Sequence, residues 1–310
     1  MSQTEILDFE INSEEKIIIG VSKWIENDDQ NLNVLSFKKQ ITDWNISGKE
    51  IEFIVKSARG SQERQQEIIQ EYVDTKIDLI YTLTTPGTLI AKKITSDIPI
   101  VFSVVTYPVE AKIINSLENS GNNLVGVRNY VPMTKQFELI SDTLSIKTIG
   151  FIHRQGEVNS EIQLNEAIPV ADDLGIQVID IAANSISNTS ELLSENIGDL
   201  DAIYLACDTL IQSGADVVAI KIATENSVPV FTCNLDAIKK GAMMGNVADI
   251  SGLGKIAGEK ATYILQGTKP TNLVTETQRI PLIVINLPVA ETLDIEIPQK
   301  TLEKASIIIQ

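Results

Sequence analysis

The sequence predicts an α/β protein of two similar halves, each a parallel sheet covered by helices on both faces. Apolar segments of strand length alternate with amphipathic segments of helical spacing from residue 16 to about 126, and the pattern restarts at 127 and runs to 248. The strand segments are apolar along almost their whole length, which is typical of strands buried on both faces. Two sets of five strands and a returning tail predict two lobes between which the chain crosses several times.

Each predicted strand is a short apolar run. In the first half the runs are KIIIGV, IEFIV, IDLIYTL, IPIVFSVV and NNLVGV. In the second half they are KTIGFIH, IQVIDI, AIYLAC, VPVFTC and GAMMGNV. The segments between them have helical spacing; SQERQQEIIQEYVDTK, for example, begins at Ser61 and carries an acidic residue in its first turn, as helices prefer. Residues 1–15 are polar and predict a disordered lead.

The composition argues against several classes of function. The 310 residues carry a net charge of −17, so we expect no binding to nucleic acid or to anionic membranes, which are polyanions themselves. Two separated cysteines and one histidine argue against a zinc site. Neither a P-loop nor a G-x-G-x-x-G motif occurs, and no nucleophile–base pair is visible. We therefore expect no catalytic residue, no metal and no cofactor.

The compartment depends on how the chain begins. No segment approaches the ~18 apolar residues of a membrane span. The start, MSQTEILDFEINSEEK, has neither a basic region nor an apolar region and does not resemble a secretory signal. We expect a cytoplasmic protein if Met1 is the native start, and an extracytoplasmic one, periplasmic or membrane-anchored, if a natural export segment is missing.

A cluster of hydroxyl groups follows the buried strand DLIYTL. Thr84, Thr85 and Thr88 lie at the carboxyl end of this strand and at the start of the next helix. Ligands of open α/β sheets bind at the carboxyl ends of the strands, and free N–H groups at a helix start suit a carboxylate or another anion. The alternative is that Thr84 or Thr85 only caps the helix.

Other strands of both halves also end in polar or aromatic residues. In the first half these include Trp24, Thr106 and Tyr107, and in the second half the segments HRQGEVNS, CDTL and CNLD, the last of which contains Asn234. If the two lobes face each other, these strand ends line one common cleft. Trp24 is predicted either as a stacking wall of that cleft or as part of the core edge.

Seven fragments have an order and spacing that match a known family. They are DLIYTLTTPGTLIAKKITSDIPIVFSVVTYPVEAKIINSL, NNLVGVRNYVP, IGFIHRQGEVNS, DAIYLACDTLI, VPVFTCNLDAIKKGAM, DISGLGKIAGEKATYILQG and VINLPVAETLDIEIP. From about residue 16 to 300 this set resembles the ABC-transporter substrate-binding proteins of the tryptophan/aromatic amino-acid-binding type. The resemblance implies a type I periplasmic-binding fold of two Rossmann-like lobes joined by three crossovers. It also implies a small ligand, often an amino acid, and delivery to a membrane permease.

The resemblance also implies site residues. The loop of Thr84 and Thr85 matches the family segment that faces the carboxylate of the ligand, and GEVNS places Asn159 and Ser160 in the cleft. Asp208 in CDTL resembles the acidic cleft residue, and Asp249 in ADIS matches the final crossing of the cleft.

Several positions depart from the family pattern. Tyr107 stands where the family usually has Asp, and Thr209 where it has Asn, while Ile250 and Ser251 replace aromatic residues. We therefore expect a less aromatic pocket than that of tryptophan-binding relatives.

Two chemical roles stay open at this stage. Asp208 is either a counter-charge for a ligand ammonium or a helix cap. Cys207 and Cys233 end strands that can be neighbours, so a disulfide is possible, but the demanding geometry favours two buried thiols.

The function hypothesis is a non-enzymatic solute-binding protein of an ABC importer. It would close two lobes over a small zwitterion or anion, with an ABC permease as its partner and a monomeric state. The alternative is a cytoplasmic ligand-sensing domain of a regulator on the same fold. We place the lobes at 16–126 with 249–281 and at 127–248 with 282–310.

Overall fold

The first lobe is built on a six-stranded sheet. The computed structural model describes residues 16–44, 49–278 and 280–310, and the predicted lead at 1–15 lies outside them. The elements of this lobe are β1 (Ile17–Lys23), α1 (Asp28–Asp43), β2 (Ile51–Ser57), α2 (Gln62–Asp74), β3 (Leu79–Leu83), α3 (Thr85–Ile94), β4 (Ile100–Val105), β5 (Leu124–Arg128), α9 (Ile250–Leu265) and β11 (Glu276–Thr277). The strand order is β11-β5-β4-β3-β1-β2, with every pair parallel.

The second lobe is built on a seven-stranded sheet. Its elements are α4 (Met133–Thr143), β6 (Thr148–Arg154), α5 (Val158–Asp173), β7 (Gln177–Ala183), α6 (Ile186–Asn196), β8 (Ala202–Leu205), α7 (Asp216–Glu225), β9 (Val230–Thr232), α8 (Leu235–Lys239), β10 (Met244–Val247), β12 (Leu282–Asn286), α10 (Leu287–Thr292), α11 (Gln299–Lys304) and β13 (Ile307–Ile309). The strand order is β13-β12-β10-β9-β8-β6-β7.

One strand pair departs from the predicted parallel arrangement. Strand β12 runs antiparallel to β10, with Met244 opposite Ile285. The other pairs of this sheet are parallel. The reversal arises because the chain re-enters the second lobe at β12 from the end of the sheet at which β10 leaves it. The expectation of fully parallel sheets is therefore wrong for this pair.

The chain passes between the lobes three times, as the fold class predicts. The passages follow β5, β10 and β11, and they are linked to one another. Arg128 Nε donates to Thr277 Oγ1 over 2.6 Å, which joins the end of β5 to β11. The backbone N–H of Asp249 donates to Gln278 Oε1 over 2.6 Å, which joins the second passage to the third. β5 runs to Arg128, two residues beyond the predicted limit of the first lobe at 126; the predicted lobe limits stay a prediction.

Helix α9 returns to the first lobe and packs closely against α1. Gly254 and Gly258 lie at this contact. A Cβ atom at Gly254 would lie 2.2 Å from the carbonyl oxygen of Asn33, and one at Gly258 would lie 2.9 Å from that of Phe37. Glycine is therefore required at both positions, because any larger side chain would push the helices apart.

Each lobe holds its own hydrophobic core. Strands β1, β3 and β4 are almost fully buried, as their continuous apolar composition predicts. Within the described residues, none of the helices combines the length and the apolarity that a bilayer crossing requires.

Cys207 and Cys233 form a disulfide, so the expectation of two buried thiols is wrong. They follow β8 and β9, which are adjacent parallel strands with Leu205 opposite Thr232. This register brings the two Cα atoms to 5.8 Å, within the range that a disulfide spans. The bridge closes a loop across 26 positions.

The double substitution Cys207→Ser/Cys233→Ser should lower the free energy of unfolding by about 3 kcal/mol, because the open loop restores entropy to the unfolded chain. Urea unfolding of the oxidised wild type and of the variant measures the difference. Dithiothreitol should lower the stability of the wild type by a similar amount and leave the variant unchanged. Labelling of both thiols by iodoacetamide in unfolded, unreduced wild type would contradict the disulfide.

Candidate ligand-binding cleft

A cavity of about 310 Å³ lies between the two lobes at the carboxyl ends of their strands. The first lobe contributes the start of α3 and the residue after β1, and the second contributes the loop between β6 and α5. The lining residues are Trp24, Gln62, Thr85, Pro86, Leu89, Ile90, Lys93, Arg154, Gln155, Gly156, Glu157, Val158 and Thr209. Of the predicted site residues, this cavity therefore takes Trp24 and Thr85.

The threonine loop divides into capping and cavity-lining groups. Thr84 caps α3, and its Oγ1 accepts from the backbone N–H of Gly87 at 3.5 Å. Thr88 Oγ1 donates to the carbonyl of Thr84 over 2.8 Å. Only Thr85, the first residue of α3, lines the cavity. The capping alternative thus describes Thr84, while Thr85 places a hydroxyl group and a helix N-terminus in the cleft.

The backbone of Thr84 is strained. Its φ is 68° and its ψ is 158°, a combination that residues other than glycine rarely adopt. Strain of this kind persists where the surrounding structure enforces it, and it concentrates at functional loops. It sets the direction in which α3 begins and so aims Thr85 at the cavity.

Trp24 combines both of its predicted roles. Its side chain is only 2% exposed and packs in the core of the first lobe, yet it also lines the cavity. Gln30 holds the loop of Trp24 in place, because its Oε1 accepts from the backbone N–H groups of Trp24 at 2.9 Å and Ile25 at 3.3 Å. The indole Nε1 of Trp24 has no hydrogen-bond partner within the described part of the chain.

Glu157 and Arg154 form the opposite wall. Glu157 is 8% exposed. Its Oε1 accepts from the backbone N–H of Thr209 at 3.2 Å, and its Oε2 accepts from the hydroxyl of Thr209. Arg154 donates to Thr209 Oγ1 over 3.1 Å and lies 3.8 Å from Glu157 Oε2. The second lobe thus presents a carboxylate together with a cation that lies beside it.

Asn159 and Ser160 lie behind this wall. Asn159 Nδ2 donates to the carbonyl of Cys207 over 3.0 Å, and its Oδ1 is buried without a partner among the described residues. Ser160 Oγ lies 2.8 Å from the carbonyl of Arg154 and 3.0 Å from that of Glu157. Ser160 therefore stabilises the loop, while Asn159 Oδ1 remains free to accept a hydrogen bond.

Asp208 is held by backbone groups. Its carboxylate accepts from the N–H groups of Arg154 at 2.7 Å and of Leu210 and Ile211 at 2.9 Å each. These contacts are those of the predicted alternative, a cap, and the side chain is 1% exposed. Burial and the carboxylate of Glu157 raise the pKa of Asp208 to about 8, and burial also raises the pKa of Glu157.

Three further residues of the predicted site form hydrogen bonds to other groups of the protein. Thr106 Oγ1 donates to Asn129 Oδ1 over 3.1 Å, and Asn234 Nδ2 donates to the carbonyl of Ala206 over 3.1 Å. Asp249 caps α9 by accepting from the N–H of Gly252 at 3.0 Å. Asn234 lines a second, much smaller void between the lobes, of about 20 Å³.

Tyr107 reaches across the cleft. Its hydroxyl donates to Glu166 Oε2 on α5 over 2.7 Å, so it joins the end of β4 in the first lobe to the second lobe. Its ring meets that of Tyr130 edge to face at 5.6 Å. Tyr107 is therefore a contact between lobes.

The sequence analysis missed Glu157 and Gln30 as cleft residues. Glu157 lies within GEVNS, two positions before Asn159, so an acid in a predicted strand-end loop was the available signal. No local signal marks Gln30, whose position depends on its bonds to the loop of Trp24. The described residues contain no cluster of His, Cys, Asp and Glu that could hold a metal ion.

The family described as ABC transporter substrate binding protein matches residues 18–309. The chain belongs to this family. A curated relative, the tyrosine-binding protein of Clostridioides difficile strain R20291, is 31% identical over 280 residues, which cover 90% of this chain and 81% of the relative. The predicted family resemblance is thus confirmed.

Solved structures share the fold. The ABC domain in complex with L-Trp from Streptococcus pneumonia has a TM-score of 0.91 at 23% identity and covers 95% of this chain and 100% of that one. The ligand-free, open structure of a substrate-binding protein with adhesive properties from Clostridium difficile has a TM-score of 0.73 at 27% identity, with coverage of 95% and 99%. These similarities confirm the α/β type I periplasmic-binding fold.

Family membership identifies the chain as a solute-binding protein rather than an enzyme. It gives no support to the alternative of a regulator domain. The individual site residues stay a proposal, because the similarity of the chains does not test them.

The neighbouring carboxyl groups of Glu157 and Asp208 should make the free energy of unfolding depend on pH. The raised pKa of Asp208 means that the folded protein holds a proton which the unfolded chain releases near pH 4, so stability falls as the pH rises toward 8. Between pH 6 and pH 8 the fall should be about 2 kcal/mol. In Glu157→Gln the fall should be smaller, because the neutral amide removes the repulsion while the burial of Asp208, the larger cause of its raised pKa, remains.

Urea unfolding at pH 6 and pH 8 measures this change. Glu195→Gln on the exposed face of α6 is the matched control and should behave as wild type. An equal fall in Glu157→Gln and wild type would show that the two carboxylates are not coupled.

Proposed function

We propose that this protein is the solute-binding component of an ABC importer and that it binds an L-amino acid between its lobes. The observation that carries the proposal is the cavity of about 310 Å³ with complementary walls. One wall offers Thr85 at the N-terminus of α3, which suits a carboxylate. The other offers the carboxylate of Glu157, which suits an ammonium group. The 31% identity to a tyrosine-binding protein supports the same ligand class.

We propose that closure of the lobes on the ligand is the working motion. The TM-score is 0.91 to a complex with L-Trp and only 0.73 to a ligand-free, open structure, although the identity to the open one is higher. The bond between Tyr107 and Glu166 joins the lobes. A ligand that contacts both walls favours the closed state, because it makes all its contacts only there.

Closure also brings like charges together. Asp29 on α1 of the first lobe approaches Asp236 on α8 of the second, and burial together with this carboxylate raises the pKa of Asp29 to about 6. This repulsion opposes closure once Asp29 is ionised, while the charge of Lys239 and a hydrogen bond from the backbone N–H of Asp236 partly offset it. The repulsion therefore favours the open state of the empty protein. Release of the ligand to a permease requires such an opening.

The proposed location of the protein is extracytoplasmic. Its proposed partner is an ABC permease, and its proposed functional unit is a monomer. The family description supports the transport role. The disulfide between Cys207 and Cys233 fits an oxidising compartment.

The side-chain class of the ligand is the finer part of the proposal. Ile250 lines the smaller void between the lobes, whereas Ser251 faces α1, with its Oγ 2.9 Å from that of Ser36. The prediction of a less aromatic pocket therefore depends on Ile250 alone. Tyrosine and the branched aliphatic amino acids are both candidates for the test.

A thermal-shift screen of the twenty L-amino acids tests the proposed function. The preferred amino acid should stabilise the protein by about 2.7 kcal/mol when present at 100 times its dissociation constant. Its D-enantiomer is the matched control and should give a much smaller shift, because the two walls fix the positions of both charged groups. If no L-amino acid shifts the melting temperature, the proposed ligand class is wrong.

Tyr107→Phe should weaken binding of the preferred amino acid about 10-fold, because the closed state loses a hydrogen bond to a carboxylate worth about 1.5 kcal/mol. Isothermal titration calorimetry measures the dissociation constant. Tyr263→Phe, which removes the hydroxyl of a tyrosine that is 41% exposed, is the control. Unchanged affinity in Tyr107→Phe would show that its bond to Glu166 does not contribute to closure.

A further inference from the structure

Four buried side-chain atoms have no hydrogen-bond partner among the described residues. They are Trp24 Nε1, Gln30 Nε2, Asn159 Oδ1 and Tyr204 Oη. Folded proteins rarely leave buried polar atoms unpaired, because such atoms lose their bonds to water without compensation. Each of the four side chains is at most 4% exposed. Three of them, on Trp24, Gln30 and Asn159, belong to residues at the cleft or directly behind its wall, where a ligand or water can complete their hydrogen bonds.

The two unpaired atoms of the first lobe are both donors. An indole nitrogen can only donate. The amide of Gln30 is oriented by its own bonds, since Oε1 accepts from the N–H groups of Trp24 and Ile25 and only the NH₂ group remains free. The same bonds join Gln30, in the first turn of α1, to the loop of Trp24. Trp24 lines the cavity, and Gln30 lines the smaller void.

The unpaired atom of Asn159 in the second lobe is an acceptor. Nδ2 of Asn159 donates to the carbonyl of Cys207 over 3.0 Å, which leaves Oδ1 as the free end of the amide. Asn159 also follows Glu157 and Val158, which line the cavity. The fourth atom, the hydroxyl of Tyr204, lies among the stacked rings of Phe151 and Phe137 in the core of the second lobe and carries no part of the inference.

We propose that these atoms fix the orientation of the bound amino acid. The carboxylate receives hydrogen bonds from Trp24 Nε1 and Gln30 Nε2 in the first lobe, and the ammonium group donates to Asn159 Oδ1 in the second lobe. Trp24 thus acts through its N–H group and not only as an apolar wall. This inference rests on the proposed amino-acid binding, and it adds the buried atoms that hydrogen-bond to each end of the amino acid beside Thr85 and Glu157.

Two substitutions test the donors of the first lobe, of which Gln30→Glu is isosteric. Trp24→Phe removes the indole N–H, and Gln30→Glu keeps the acceptor for the loop but replaces the free NH₂ group by an oxygen. The controls are Trp44→Phe at an exposed tryptophan and Gln177→Glu at an exposed glutamine on the edge strand β7. The probes for calorimetry are L-tyrosine, L-tyrosinamide, which lacks the carboxylate, and 3-(4-hydroxyphenyl)propionate, which lacks the ammonium group. L-leucine, L-leucinamide and 4-methylpentanoate form a second series.

Trp24→Phe and Gln30→Glu should each weaken binding of the free amino acid by about 10-fold to 100-fold, the range for a hydrogen bond to a charged group. The loss should be several-fold smaller for the amide, whose carboxylate is already absent. Asn159→Leu should show the converse pattern, with a loss for the amino acid that shrinks for the probe without an ammonium group. Circular dichroism and the melting temperature establish that each variant is folded, and if Asn159→Leu is not, the two variants of the first lobe decide the orientation.

Three results would overturn the inference while the proposed function stands. Wild-type affinities in Trp24→Phe and Gln30→Glu would exclude these donors. Equal losses for all three probes would assign Trp24 and Gln30 a packing role only. A loss confined to the probes that carry an ammonium group would reverse the orientation. If wild-type protein binds no amino acid of the twenty, the proposed function fails, and the inference fails with it.

Discussion

The carboxyl ends of the two sheets face each other because the chain passes between the lobes three times at one edge. The bonds of Arg128 to Thr277 and of Asp249 to Gln278 tie these passages together. The close contact of α9 with α1, which Gly254 and Gly258 permit, anchors the middle passage in the first lobe. Two sheets so constrained can change their angle but cannot slide apart, and the strand-end residues of both lobes therefore always meet in one cleft.

The chemistry of that cleft follows from which polar side-chain atoms of the two lobes lack a hydrogen-bond partner among the described residues. Most polar side chains at the strand ends already have partners within their own lobe, as Thr88 and Asp208 do. Apart from the hydroxyl of Tyr204 in the core, the buried side-chain atoms that lack partners among the described residues are two donors in the first lobe, on Trp24 and Gln30, and one acceptor in the second, on Asn159. This asymmetry gives the cleft a direction, which matches a ligand with one anionic and one cationic end.

The sequence predicts the two-lobe architecture because the determinants of buried strands are local. In runs such as IPIVFSVV, the apolar composition of the run itself predicts a buried strand. The direction of β12 is not local, since it depends on where the third passage ends. The disulfide likewise depends on the register of β8 against β9. Among the threonines, the sequence finds the loop but not the single cavity-lining residue, because each helical residue turns the side chain by about 100° from the last.

At Thr84, the backbone conformation that sets the start of α3 lowers the folding stability. Its backbone occupies a conformation that suits glycine, and yet a threonine stands there whose hydroxyl accepts from the N–H of Gly87. A glycine at this position would relax the backbone and remove the cap at the same time. The backbone conformation and the side-chain cap therefore favour different residue types at this one position. Engineering that raises thermal tolerance should leave this loop alone and seek its gains in the outer helices.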